Sequence, residues 1–313
     1  VIRSKAVAIG NSLEKKMDLI MAENRTKVWL ITGSSTGFGR SLTKAVLEHG
    51  DRVVATARKL EQLSDLVTQY PETVKPVHLD VTKPQEVRNA VNAALDTFGR
   101  IDVLVNNAGY GALGAIEEFT DEAIRHQFET NVFGALDVMR VVLPVMRKQR
   151  NGHIINVSSV AGFVSFVGTG IYCGTKFALE GISEALAKEV APLGIKVTII
   201  EPGAFRTDFN GRSLVTPDTL IDDYASTCGE FLQWIHNMNG KQPGDPDKAA
   251  LAIIQAVTSN NPPLRLALGA DAVNAIDAKL KSVKEELDTW KSVACDTAFE
   301  GVEVGAIGGE AKR

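Results

Sequence analysis

Short, uninterrupted apolar runs recur along the chain near residues 27–32, 52–57, 74–79, 101–105, 153–158, 195–200 and 265–268. Between them, near 38–49, 59–69, 84–98, 122–149, 172–192, 218–238 and 246–258, apolar residues return every three or four positions. The first rhythm predicts strands buried on both faces, and the second predicts amphipathic helices. Their strict alternation predicts an α/β fold, a doubly wound parallel sheet of about seven strands with helices on both faces. Such sheets bind ligands at the carboxyl ends of their strands. Chemistry-bearing residues fall there in series: Gly33 after the first strand, Arg58 after the second, Asp80 after the third, Asn107 after the fourth, Ser159 after the fifth and Pro202 after the sixth.

The first strand runs into Thr32-Gly33-Ser34-Ser35-Thr36-Gly37-Phe38-Gly39 and then into a helical pattern. A strand, a glycine turn and a helix N-terminus together suit a pyrophosphate, because the backbone can approach closely and the first helical N–H groups are unpaired. The spacing Gly-x-x-x-Gly-x-Gly differs from the Gly-x-Gly-x-x-Gly dinucleotide fingerprint. The literal fingerprint occurs at residues 109–114, but no helix opens from it, and it is read as incidental.

Tyr172 and Lys176 stand four residues apart in a helical stretch, with Ser159 thirteen residues before the tyrosine. One helical turn separates i and i+4, so an ammonium can sit beside the phenol and favour its ionised form. Bringing a phenol from about 10 to neutrality asks for roughly 3 units, or about 4 kcal/mol. Ser158 competes for the serine role. Alternation of side chains along the strand and the thirteen-residue spacing select Ser159.

These residues, with Asn106-Asn107-Ala108-Gly109, Asn131 and Pro202-Gly203, form a pattern that resembles the short-chain dehydrogenase/reductase family in its compact single-domain branch, over about residues 27–260. The resemblance implies a Rossmann-like fold and reversible hydride transfer between a nicotinamide and a carbonyl carbon. It gives Tyr172 the part of general acid or base, and Lys176 the tasks of lowering the tyrosine pKa and bonding the nicotinamide ribose. Ser159 would hold the carbonyl oxygen. Asn131 would hold, through its side chain, a water that relays protons to Lys176. Around the cofactor it implies Gly33, Ser35, Gly37, Phe38 and Gly39 at the phosphates, and Asp80 and Val81 at adenine. Asn107, Ala108 and Gly109 would support the adenosine ribose, and Pro202, Gly203 and Thr207 would sit beside the nicotinamide. The resemblance also implies a homodimer or homotetramer through the helices at 122–149 and 172–192.

Cofactor choice rests on the end of the second strand. An acid there would bond the ribose 2′-hydroxyl of NAD and repel a 2′-phosphate. Ala57 supplies none, and Arg58 offers a charged planar fork suited to phosphate, with Ser34 as a hydroxyl donor to the same group. NADP(H) is therefore expected over NAD(H).

Composition narrows the partners. With 34 Lys and Arg against 38 Asp and Glu, the chain lacks the basic footprint of a nucleic-acid binder. Cys173, Cys228 and Cys295 match no metal spacing and are expected to be reduced thiols in a cytoplasmic protein. The uncharged stretch 154–175 holds too many polar residues and glycines for a membrane span. Residues 1–26, with Met21 as a natural start, are expected to be an extension, 27–292 one domain, and 293–313 a loose tail whose final Ala311-Lys312-Arg313 is a poor peroxisomal address.

After Thr207 a lid over the substrate is expected at about 207–243, with an apolar stripe of Ile221, Tyr224, Cys228, Phe231, Leu232 and Ile235 widened by Trp234 and Met238. Together with Phe163, Phe166 and Val167 it predicts a lipophilic ketone or secondary alcohol. Two other readings stay open at this point: a redox-sensing binding protein with little catalysis, and an extended epimerase or dehydratase. Only 111 residues follow Pro202, which disfavours the larger substrate domain of the second. A hydrolase is a weaker reading still.

Overall fold

The computed structural model describes residues 26–302 and residue 305. The expectations for residues 1–25, Met21 among them, and for the last eight residues lie outside the described residues. The strands are β1 (Val28–Ile31), β2 (Arg52–Ala57), β3 (Val74–His78), β4 (Val103–Asn106), β5 (Gly111–Ala112), β6 (Gly152–Val157), β7 (Ile195–Pro202), β8 (Leu214–Val215) and β9 (Arg265–Leu268). Seven of them form one parallel sheet in the order β3-β2-β1-β4-β6-β7-β9. The chain winds outward from β1 to β3, returns, and winds the other way from β4. The crevice between β1 and β4 is thus the topological switch point, as in Rossmann-like folds.

The helices are α1 (Gly37–Glu48), α2 (Ser64–Gln69), α3 (Pro84–Phe98), α4 (Asp121–Phe128), α5 (Ala135–Gln149), α6 (Gly170–Val190), α7 (Glu230–Met238), α8 (Pro246–Thr258) and α9 (Ala270–Cys295). Period-two alternation sends strand side chains to two cores. Trp29, Ile31, Val53 and Ala55 pack with α1 and α8, whereas Leu30, Val54 and Leu104 pack with α3, α5 and α6. Strands flanked on both sides have no polar face to show, which is why β1, β4 and most of β2 read as unbroken apolar runs.

Three helical expectations need correction. The stretch 122–149 is interrupted by a π-helical turn at Glu129–Gly134, on which Asn131 is buried. The first half of 218–238 is a 3₁₀ turn at Asp222–Tyr224 and a π turn at Ala225–Gly229, and only α7 is regular. The third is α9, which was not anticipated and whose 26 residues run through position 293, where a loose tail was expected. Gly111–Ala112, inside the incidental fingerprint, pairs with Leu214–Val215 as a two-stranded ribbon.

Candidate active site

A cleft of about 1380 Å³ opens over the carboxyl ends of the strands. One end is the glycine turn. Gly33 has φ +69° and Gly37 φ +53°, backbone that side-chain-bearing residues rarely adopt. Gly33, Ser35, Gly37 and Phe38 line the cleft. Gly39 does not. A Cβ there would stand 2.2 Å from the Gly33 carbonyl oxygen and 2.4 Å from Asn107 Nδ2, so this glycine allows α1 to pack against the turn. Thr36 precedes α1 without a side-chain cap, and the first turn carries no acid. The unpaired N–H groups and positive dipole end of α1 are left to the cleft, an arrangement that fits the pyrophosphate of a nicotinamide dinucleotide.

Asn107 braces this turn: its Nδ2 donates to the carbonyls of Thr32 (2.9 Å) and Gly33 (3.1 Å). Ala108 and Gly109 line the cleft beside it. Arg58, Asp80 and Val81 form the wall beyond β2 and β3. Asp80 accepts from the backbone N–H (3.0 Å) and hydroxyl (2.8 Å) of Thr82. Burial pushes its carboxyl up, but those bonds and the charges of Arg58 and Lys83 outweigh burial and hold it below the usual range. Arg58 makes no ion pair among the described residues.

Ser34 is a correction. Its side chain is fully buried, donating to the Ile31 carbonyl (3.0 Å) and accepting from the Thr56 N–H (3.3 Å). It ties β1 to β2 and has no hydroxyl to offer a phosphate.

At the other end, Ser159, Tyr172 and Lys176 line the same cleft, joined by Pro202, Gly203 and Thr207. Ser159 caps a 3₁₀ turn, its oxygen accepting from the Ala161 N–H at 3.1 Å. Lys176 Nζ donates to the Val157 carbonyl at 2.8 Å and sits 5.7 Å from the centre of the Tyr172 ring. Burial pushes the Tyr172 phenol well above its usual value, with the Ser159 hydroxyl opposing. Burial pushes Lys176 down to about 8, with the Glu180 charge opposing. The expected near-neutral phenol is therefore not a property of the protein groups alone. One of the three lysine N–H donors goes to a carbonyl, and desolvation of the phenol dominates.

Asn131 is held against the loop after β4. Its Nδ2 donates to the Tyr110 carbonyl (2.9 Å) and to Thr175 Oγ1 (3.1 Å), and its Oδ1 accepts from the Tyr110 N–H (3.1 Å). These bonds join the loop after β4 to α6 and fix the orientation of the side chain.

Behind Lys176 lies a cluster that sequence reasoning missed. Arg265 on β9 reaches Glu180 (3.2 Å), Glu184 (2.8 Å) and Glu201 (3.4 Å). Burial and the adjacent Glu180 push Glu201 up to about 7, against the pull of Arg265. Burial also raises Glu180. Glu180 lies one turn after Lys176, a spacing that could have flagged it.

The apolar wall is partly as expected. Phe166, Phe231, Trp234, Ile235 and Met238 line the cleft, whereas Phe163 and Val167 do not. Ile221 and Tyr224 instead tie the segment down, through Ile221 N–H to Glu118 (2.9 Å) and Tyr224 hydroxyl to Glu117 (2.7 Å). Two aromatics were overlooked. Phe209 lies 5.4 Å from Tyr172 and Phe205 5.0 Å from Phe38, ring centre to ring centre. They flank Thr207 at two-residue spacing, a signal present in the sequence. Tyr110 adds a polar spot, its hydroxyl 2.9 Å from His126 Nδ1 at the cleft edge.

The model of the short chain dehydrogenase family matches residues 27–216. The chain belongs to that family. Oxidoreductase BOA17 of Botryotinia fuckeliana is 40% identical over 87% of this chain and 100% of its own. A 3-ketodihydrosphingosine reductase of Bacteroides thetaiotaomicron is 39% identical over 82% of this chain and 92% of its own. A short-chain dehydrogenase structure from Streptomyces avermitilis superposes with a TM-score of 0.83 at 45% identity, covering 88% of this chain and 100% of that one. Family members are oxidoreductases with nicotinamide cofactors, and solved members at 28% identity hold NADP in one case and NADH in another. No helix among the described residues is long and apolar enough to cross a membrane.

Proposed function

We propose that the protein is an NADP(H)-dependent oxidoreductase interconverting a lipophilic ketone and its secondary alcohol. The nicotinamide, when bound, supplies or accepts the hydride. Tyr172 gives the substrate oxygen its proton in reduction and takes it back in oxidation, while Ser159 holds that oxygen as charge grows on it. Lys176 orients the nicotinamide ribose and, with the cofactor's own charge, lowers the barrier to forming phenolate. Asn131 acts as a positioning residue through Tyr110 and Thr175. Gly33, Ser35, Gly37 and Phe38 receive the phosphates, Asp80 and Val81 the adenine, Asn107, Ala108 and Gly109 the adenosine ribose, and Gly203 and Thr207 the carboxamide end. The domain extends from residue 27 into α9, and segment 207–243 serves as the lid. We assign it to the cytoplasm.

Arg58 supports the choice of NADP(H): a cation on the cleft wall with no ion pair among the described residues, where the preceding Ala57 provides no acid. The apolar wall of Phe166, Phe209, Phe231 and Trp234 supports a lipophilic substrate, and one relative is named for a keto substrate. Phe133 on the π turn and Phe177 on α6, each about half exposed, suit the expected homo-oligomer contact through those helices. The test is the ratio of catalytic efficiencies with NADPH and NADH. NADPH is preferred, and Arg58→Ala raises its KM about tenfold or more without altering that for NADH. Equal efficiency in the unmodified protein refutes the cofactor assignment.

A further inference from the structure

The helix α9 leaves the body of the molecule. Its first turn is anchored, with Ala272 buried, but every residue from Asp277 to Cys295 is exposed. The whole helix is about 39 Å long. A single helix with no packed face is marginal in water, because most helical stability in proteins comes from burying an apolar stripe. Here the stripe exists, and among the described residues nothing covers it from Asp277 onward. Val273, Ile276, Leu280, Val283, Leu287, Trp290 and Ala294 recur at alternating spacings of three and four, three heptads with apolar a and d positions. Leu280, Leu287 and Trp290 are 54%, 59% and 65% exposed.

We propose that α9 pairs with α9 of a second copy as an antiparallel two-stranded coiled coil. Charge decides both the partner and the direction. In the antiparallel pair centred between Lys281 and Ser282, Val273 faces the partner's Trp290, Ile276 its Leu287 and Leu280 its Val283. A two-fold axis doubles these to six layers. The flanking positions then oppose Lys279 to Glu286 and Asp277 to Lys284, all of opposite sign. A parallel pair in register would instead set Lys279 against Lys284. Lys281 and Lys284 bond Asp277 and Asp288 within their own helix, exposed pairs that compete little. Lys279 and Glu286 make no ion pair among the described residues. The ionic residues from 277 to 291 are four lysines against four acids, so the helix lacks the positive face that an anionic membrane would select. This contact is separate from the one through Phe133 and Phe177, and neither depends on the other.

The experiment is the mass of the full chain in solution by light scattering and sedimentation equilibrium. Leu280→Lys with Leu287→Lys is expected to halve the mass of the assembly while leaving its thermal transition and circular dichroism those of a folded protein, since both side chains are exposed. Lys279→Glu is expected to weaken the pairing about fivefold, and adding Glu286→Lys to restore it. In the unmodified protein the emission of Trp290 shifts to the blue as concentration rises. An unchanged mass in the leucine variant overturns the proposal, as does a tighter assembly in Lys279→Glu, which would mark a parallel pair. Co-sedimentation with phosphatidylserine vesicles, with no α9-dependent change of mass, also overturns it. Variants at Phe133 or Phe177 that halve the mass leave this step intact, which keeps the two contacts distinguishable.

Discussion

Lys176 Nζ lies 5.7 Å from the centre of the Tyr172 ring while it donates a 2.8 Å hydrogen bond to the Val157 carbonyl. The lysine is thus held by the end of β6, close enough to act on the phenol yet paired elsewhere. Lys176→Ala removes the cation and strands a carbonyl. It is expected to lower kcat for ketone reduction by about two orders of magnitude. The dissociation constant for NADPH, followed by fluorescence titration, rises as well. A variant that loses turnover alone would leave the lysine without its cofactor role.

Glu180 extends the pH range over which that lysine stays charged. Burial holds Lys176 down near 8 and the Glu180 anion opposes burial. Glu180→Gln removes the opposition, so the ammonium is lost at lower pH and the alkaline limb of kcat/KM for reduction shifts to lower pH. Glu201 and Arg265, on the facing strands, remain in place in that variant. An unmoved limb would show that Glu180 serves only Arg265.

The same cluster predicts a stability profile. Glu201 keeps its proton in the folded protein up to about pH 7, whereas the unfolded chain releases it near the ordinary value of about 4.3. Its raised folded pKa favours the fold fully below the unfolded value, and that contribution is lost as pH rises through 7. Against Glu201→Gln, whose side chain does not titrate, the wild-type Tm therefore falls between pH 5 and pH 8. Parallel Tm profiles for the two proteins would contradict the assignment.

The sheet was legible because its strands, buried on both faces, are short apolar runs that alternate regularly with amphipathic helices. Tyr172, Lys176 and Ser159 were legible because their spacing, weak by itself, came together with the glycine turn, Asn106-Asn107-Ala108-Gly109 and Pro202-Gly203 in the order of a known family. What escaped was set by partners distant in sequence. Ser34 looks like a free hydroxyl in a glycine turn until Thr56 and Ile31 claim it. Asn131 is buried on a π turn that its sequence does not announce. The Glu180, Glu201 and Arg265 cluster joins α6, β7 and β9, and only the fold brings them together. The helix α9 was overlooked although its heptad pattern was present, because it makes few contacts with the sheet that organised the reading.

Tyr172→Phe with a lipophilic ketone and saturating NADPH tests the central claim most directly. The wild-type protein is expected to oxidise one NADPH for each alcohol formed. The variant keeps its fold and its NADPH affinity and loses at least about two orders of magnitude in kcat, the scale of a missing general acid. Near-full turnover in the variant, or no ketone-dependent NADPH oxidation by the wild type across a broad panel, would contradict the account.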